Sequence, residues 1–147
     1  MKRAVLTAVA VALAAVAVAV VVVVRQHADL SSVADLDRGD CVDGAPFLQG
    51  QQPALADLTK ADCDDPHDAE VLVLVDLDAD QAAAYRPVVP DEICLDALGD
   101  EADAAVSDSR LLVAGVADHA QPRKGDTLAC FGFAADGTRL EGKVKPR

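Results

Sequence analysis

Aromatic residues are nearly missing from this chain of 147 residues, which has three Phe, one Tyr and no Trp. Its core must therefore be built mainly of Leu, Val and Ala, and a modest core of that kind gains from covalent cross-links. Basic residues are scarce as well, 13 Lys and Arg against 25 Asp and Glu. That balance excludes the phosphate-neutralising surface with which nucleic-acid binding begins, so nucleic acid is not an expected partner, and it repels anionic head groups and wall polymers. Serine occurs only at positions 31, 32, 107 and 109, never in a G-x-S-x-G turn. No two cysteines form a C-x2-C pair, which argues against structural zinc. His27 and His119 stand in polar stretches without an evident partner. Nothing in these resources asks for catalysis: no catalytic residue, cofactor or resident metal is expected.

Long apolar runs, by contrast, are present. Ala4 to Val24 is uninterrupted except for the mildly polar Thr7, and at about 1.5 Å per helical residue it spans a hydrocarbon core of roughly 30 Å. A cleaved secretory signal has a shorter apolar region, and the nearest small-x-small site, Ser32-Val33-Ala34, lies well beyond the run. The run is rich in Val, a weak helix former in water, but lipid leaves the backbone no partner except itself. An uncleaved signal anchor is the expectation. Lys2 and Arg3 before the run place the N-terminus in the cytoplasm and everything after Arg25 outside, on the cell membrane as a single-pass protein. No cysteine closes the run for lipid modification, and the Ala4, Ala8, Ala12 row is ordinary in so alanine-rich a segment. The organisation expected is a cytoplasmic stub and transmembrane anchor over 1–24, a tether over 25–35 and an extracytoplasmic domain over 36–147. All 25 acidic residues lie beyond the anchor. The basic end Lys143–Arg147 is expected to be a solvated tail.

Four cysteines, Cys41, Cys63, Cys94 and Cys130, make an even count in a small exported domain and predict two disulfides with three possible connectivities. Pairing of neighbours, Cys41 with Cys63 and Cys94 with Cys130, is favoured; each bond contributes about 3 kcal/mol in the loop-entropy model. Glu70 to Leu77 is the clearest strand, and its continuous apolarity predicts cover on both faces. Leu36–Val42 suits a strand entry, Leu55–Cys63 fits either a strand or a helical turn, and Arg110–Val116 reads as a strand. Asp80–Tyr85 suits a short helix. A second helix is predicted over Pro90–Leu98 with Pro90 in its first turn and Ile93, Cys94, Ala97 and Leu98 on one face. Thr127–Phe133 and Arg139–Val144 flank Asp136-Gly137 and predict a hairpin. The fold class is α+β: an N-terminal transmembrane helix, then a small disulfide-stapled domain of short antiparallel strands with one or two helices.

Several motifs compete with plainer explanations. Arg38-Gly-Asp40 matches an adhesive tripeptide, but Cys41 beside it fixes the loop. Asp76-Leu-Asp-Ala-Asp80 begins like a calcium loop and then lacks its glycine, at Gln81, and its closing glutamate, at Pro87. "CDDPHDAEV", residues 63–71, gathers ligand types. His67, Asp68 and Glu70 form a candidate ligand set for a metal or small molecule, whereas Pro66 and the strand from Glu70 favour a structural turn capped by Asp64 and Asp65, with His67 held beneath it.

Taken together, "LDRGDCVD" (36–43), "ADCDDPHDAEVLVLVDL" (61–77), the isolated Cys94 and "QPRKGDTLACFGFAADGTRLEGKVK" (121–145) resemble the septum-formation family of small exported actinobacterial domains. Two features depart from that pattern: Pro122–Gly125 lacks an aromatic, and Glu141-Gly142-Lys143 stands where members end in T-G-S. The resemblance implies an envelope domain with paired cysteines, a link to cell division and partners among envelope or division proteins. It implies no reaction, substrate or cofactor. The alternative expectation is an extracytoplasmic sensor of a metal or small ligand centred on His67, Asp68 and Glu70.

Overall fold

A computed structural model describes residues 30–99 and 111–144. The expected transmembrane span over 4–24 lies outside the described residues. Among the described residues, no helix is long and apolar enough to cross a membrane.

Five strands form one antiparallel sheet: β1 (Cys41–Asp43), β2 (Thr59–Ala61), β3 (Ala69–Asp76), β4 (Leu111–Ala117) and β5 (Thr127–Ala134), in the order β2-β1-β3-β5-β4. Three short helices accompany it, α1 (Ala45–Leu48), α2 (Ala79–Ala84) and α3 (residues 92–99). The α+β class and the two disulfides stand as expected, with Cys41 joined to Cys63 and Cys94 to Cys130.

The sheet buries both faces, and the alternation of side chains sorts its residues between them. On one face Phe131, Phe133, Ala129, Ala114, Val116, Ala69 and Val71 pack with Leu30, Val33, Leu36, Val42, Phe47 and Leu58. On the other, Leu128, Cys130 and Val113 pack with Leu77, Tyr85 and Cys94. β3 changes parity in mid-strand: Val71 faces Phe131 and Val73 faces Cys130, so Leu72 is one residue extra, a bulge that turns Leu72, Val73 and Val75 toward the second face. The scarce aromatics are concentrated rather than dispersed. All three Phe meet, with the Phe47 ring 5.5 Å from that of Phe131 and 5.0 Å from that of Phe133, tilted in both cases.

Four local expectations change. Residues 30–35, read as the end of a tether, belong to the packed domain: Leu30 and Val33 are buried, and the Val33 amide and Ser32 hydroxyl donate to the Asp118 carboxylate at 2.6 and 3.0 Å. Leu55–Cys63 resolves into both alternatives, a 3-10 turn at Leu55–Asp57 followed by β2. Asp91, not Pro90, starts α3, because its carboxylate accepts from the Cys94 amide at 3.0 Å as an N-cap; Cys94 faces inward as expected, while Ala97 is exposed and Leu95 packs in its place. The C-terminal hairpin does not form. β5 has β3 on one edge and β4 on the other, so both of its hydrogen-bonding edges are taken. Residues 139–144 cross instead toward β1 and β3, where Leu140 pairs with His67 through backbone bonds of 3.1 and 2.7 Å.

Candidate functional site

The candidate site grows from the turn that precedes β3. The Asp62 side chain, rather than Asp64 or Asp65, closes this turn: its Oδ1 accepts from the Asp64 amide at 3.0 Å and its carbonyl from the Asp65 amide at 3.2 Å. His67 follows Pro66 and is fully buried. Its Nδ1 lies 2.9 Å from the Asp65 carbonyl, which can only accept, so Nδ1 carries the proton. In the neutral ring Nε2 then holds a lone pair, and this buried atom has no hydrogen-bond partner among the described residues.

A bend at Asp68 interrupts the strand alternation and separates the three residues of the expected ligand set. His67 and Glu70 converge, together with Cys41, which is the cross-strand neighbour of Glu70. One ligand atom from each of these three lies within 4.8 Å of the others. Asp68 is spent elsewhere: it accepts from the Gly44 amide at 2.9 Å and from the Arg139 Nε at 2.8 Å. Arg139 also binds Asp43, so its guanidinium joins two carboxylates. Nothing local in the sequence marks Cys41, Gly39, Arg139 and Lys143 as parts of this neighbourhood, because all four reach it through tertiary contacts.

Glu70 is buried, and that burial raises its carboxyl above the ordinary range, against the opposing pull of the Val144 amide, His67 and Lys143. Its Oε2 accepts from the Val144 amide at 2.6 Å. A Cβ added to Gly39, whose φ is +84°, would stand 3.5 Å from Lys143 Nζ and 3.9 Å from Glu70 Oε1, so both charged groups border this turn. Residues 139–144 thus lie over the site as a strap, fastened at Arg139, Leu140 and Val144.

The competing motifs are used structurally. Arg38-Gly-Asp40 forms a turn in which Asp40 accepts from the Asp37 amide at 2.9 Å and pairs with Lys60 at 2.8 Å. Asp78 caps α2, accepting from the amides of Asp80 and Gln81 at 2.9 and 2.8 Å, and Asp76 accepts from the Thr127 hydroxyl at 3.1 Å.

A second polar cluster, not signalled by the sequence, covers the outer edge of β4. The Gly115 carbonyl accepts from the Tyr85 hydroxyl at 3.0 Å and from the Gln52 side chain, and the Asp91 amide donates to the Val113 carbonyl at 3.0 Å. Burial, with the Asp91 charge adding to it, pushes the Tyr85 hydroxyl up to about 12. This arrangement protects an edge strand.

In chemical terms the first cluster offers an imidazole lone pair and a carboxylate in a buried setting, with no free thiol among its described members, since Cys41 is disulfide-bonded. Such a pair can hold a cation or a proton. No family model, no curated protein and no solved structure matches this chain.

Proposed function

We propose that this protein is a membrane-anchored, extracytoplasmic interaction or structural module of the cell envelope, linked to septum formation, that carries out no catalysis. The observation that carries this reading is the pair of disulfides in so small a domain, which suits an oxidising compartment and replaces core volume with covalent constraint. The anchor over 4–24, the acidic surface and the resemblance to septum-formation domains point the same way. Its partners are envelope or division proteins rather than nucleic acid. The test uses the full chain in growing cells of its source. Protease added to intact cells removes the domain, and crosslinking during division joins it to proteins of the septum. A cytoplasmic domain with reduced cysteines, or a chain crosslinked to no envelope neighbour, overturns the reading.

A second reading, a sensor of a metal or small ligand, is favoured by one observation: the Nε2 of buried His67, without a hydrogen-bond partner among the described residues, in the cluster that also holds Glu70.

A further inference from the structure

The geometry points to a redox-gated metal site: reduction of the Cys41–Cys63 disulfide turns Cys41, His67 and Glu70 into a three-residue ligand set for a zinc-like divalent cation. The inference rests on the sensor reading and replaces Asp68 of its expected ligand set with Cys41. Asp68 is excluded because Gly44 and Arg139 already hold its two carboxylate oxygens.

The donor set is thiolate, imidazole and carboxylate, the combination that zinc accepts with a fourth position left to water. All three residues are buried, Cys41 at 1%, His67 at 0% and Glu70 at 5% exposure. Each has one atom suited to the task. Nδ1 of His67 is engaged by the Asp65 carbonyl, a contact that orients the ring and leaves Nε2 as the ligand. Oε2 of Glu70 is engaged by the Val144 amide, which leaves Oε1. The mutual spacing of up to 4.8 Å must contract to about 3.3–3.8 Å, the edge of a tetrahedron with zinc–ligand bonds near 2.0–2.3 Å. Release of the Cys41 side chain from its cross-link permits that movement. In the oxidised state the Cys41 sulfur is neutral and bonded to carbon and sulfur, so only two strong ligands remain.

The burial of the two cysteines sets the direction of opening. Cys63 is half-buried and Cys41 is buried. A dithiol reductant therefore attacks the Cys63 sulfur, the Cys41–Cys63 bond breaks and Cys41 leaves as the thiolate. The second thiol of the reductant resolves the mixed disulfide, freeing Cys63 as a thiol and leaving the reductant as its disulfide. Two electrons and two protons pass from the reductant to the pair; when the cation binds, the Cys41 proton goes to solvent.

The test uses the full chain in detergent, with Co2+ and Zn2+ as probes. Cys63→Ser frees Cys41 without a reductant and leaves Cys94–Cys130 intact, which a non-reducing peptide map verifies. This variant is expected to bind one cation per chain and to show the thiolate-to-cobalt charge-transfer band in the near ultraviolet. Oxidised wild type, lacking a first ligand, is expected to bind at least about 100-fold more weakly, the upper end of what loss of a mere supporting residue costs. Adding His67→Ala or Glu70→Gln to Cys63→Ser, or making Cys41→Ser alone, is expected to abolish the band. If Cys63→Ser does not fold, wild type treated with a dithiol serves instead: zinc then slows alkylation of Cys41 but not of the half-buried Cys63, and a Cys41 rate unchanged by zinc overturns the inference. Binding in oxidised wild type that needs His67 but is unchanged on reduction overturns the gate and keeps the sensor reading. Absence of binding in both states overturns both.

Discussion

The two disulfides join the same domain but sit in different surroundings. Cys94–Cys130 lies among Val113, Leu128, Leu77 and Tyr85, with both cysteines fully buried on one face of the sheet. Cys41–Cys63 has one buried and one half-buried cysteine, and it borders His67, Glu70 and the strap that ends at Val144. The first is part of the core. The second is a cross-link set among ionisable groups, and it is there that a change in covalent state alters what the neighbouring side chains can bind.

Removing the bonds one at a time tests that contrast most strongly. In the loop-entropy model both bonds are worth about 3 to 4 kcal/mol, the span of 36 residues between Cys94 and Cys130 slightly more than the span of 22 between Cys41 and Cys63. Cys94→Ala/Cys130→Ala also leaves a void among packed apolar groups. Urea unfolding is expected to show the larger loss for this pair, and the contrast fails if Cys41→Ser/Cys63→Ser is the more damaging.

A single methyl group sharpens the comparison at the next scale. At Gly115 an added Cβ would meet Asp91 Oδ2 at 2.8 Å and the Cys94 sulfur at 3.0 Å, contacts that require the packing around that disulfide to shift. Gly115→Ala is expected to cost about 2 kcal/mol by overpacking. At Gly39 the nearest atoms stand at 3.5 and 3.9 Å, so Gly39→Ala meets only the penalty of its positive φ, about 1 kcal/mol. Thermal unfolding of the two variants checks the order; a greater loss at Gly39 would show that the polar neighbourhood is the more tightly packed.

The smallest effect is a slope with pH. Burial raises the Asp91 carboxyl above its ordinary value, so the folded chain keeps this proton at a pH where the unfolded chain has released it. The stability it contributes is fully present below the ordinary carboxylate pKa, near about 4, and is lost as pH rises through the raised folded value. Asp91→Asn keeps an oxygen for the Cys94 amide and removes the titration. Urea midpoints measured upward from pH 4 are expected to fall more steeply in wild type than in the variant, and parallel profiles would refute the assignment.

Much of the sheet was legible because apolar runs and cysteine spacing are local signals. Glu70–Leu77 announced β3 to within one residue at each end, since a run of Val and Leu with polar ends suits few other structures. The paired cysteines were legible as neighbours in sequence. The hairpin after Phe133 was not, although Asp136-Gly137 supplies a proper turn: its outcome depended on whether β5 had an edge to offer, and β3 and β4 already occupied both. The candidate site was half legible. His67 and Glu70 were found by type and spacing. The bend at Asp68 that sends the third member toward Gly44 and Arg139, and the arrival of Cys41 across the strand pair, depended on contacts between distant segments.

By itself the sequence determined the class of the domain, the presence of two disulfides with neighbour pairing favoured among three connectivities, and the acidic character of its surface, because composition and short-range pattern act without knowledge of the rest of the chain. Tertiary structure decided that all three Phe share one face of the sheet, that a tether residue such as Val33 is core, and that the chain after β5 closes over His67. Each of these is a competition for buried space or for a strand edge, and such competitions are settled only when all the elements are present together.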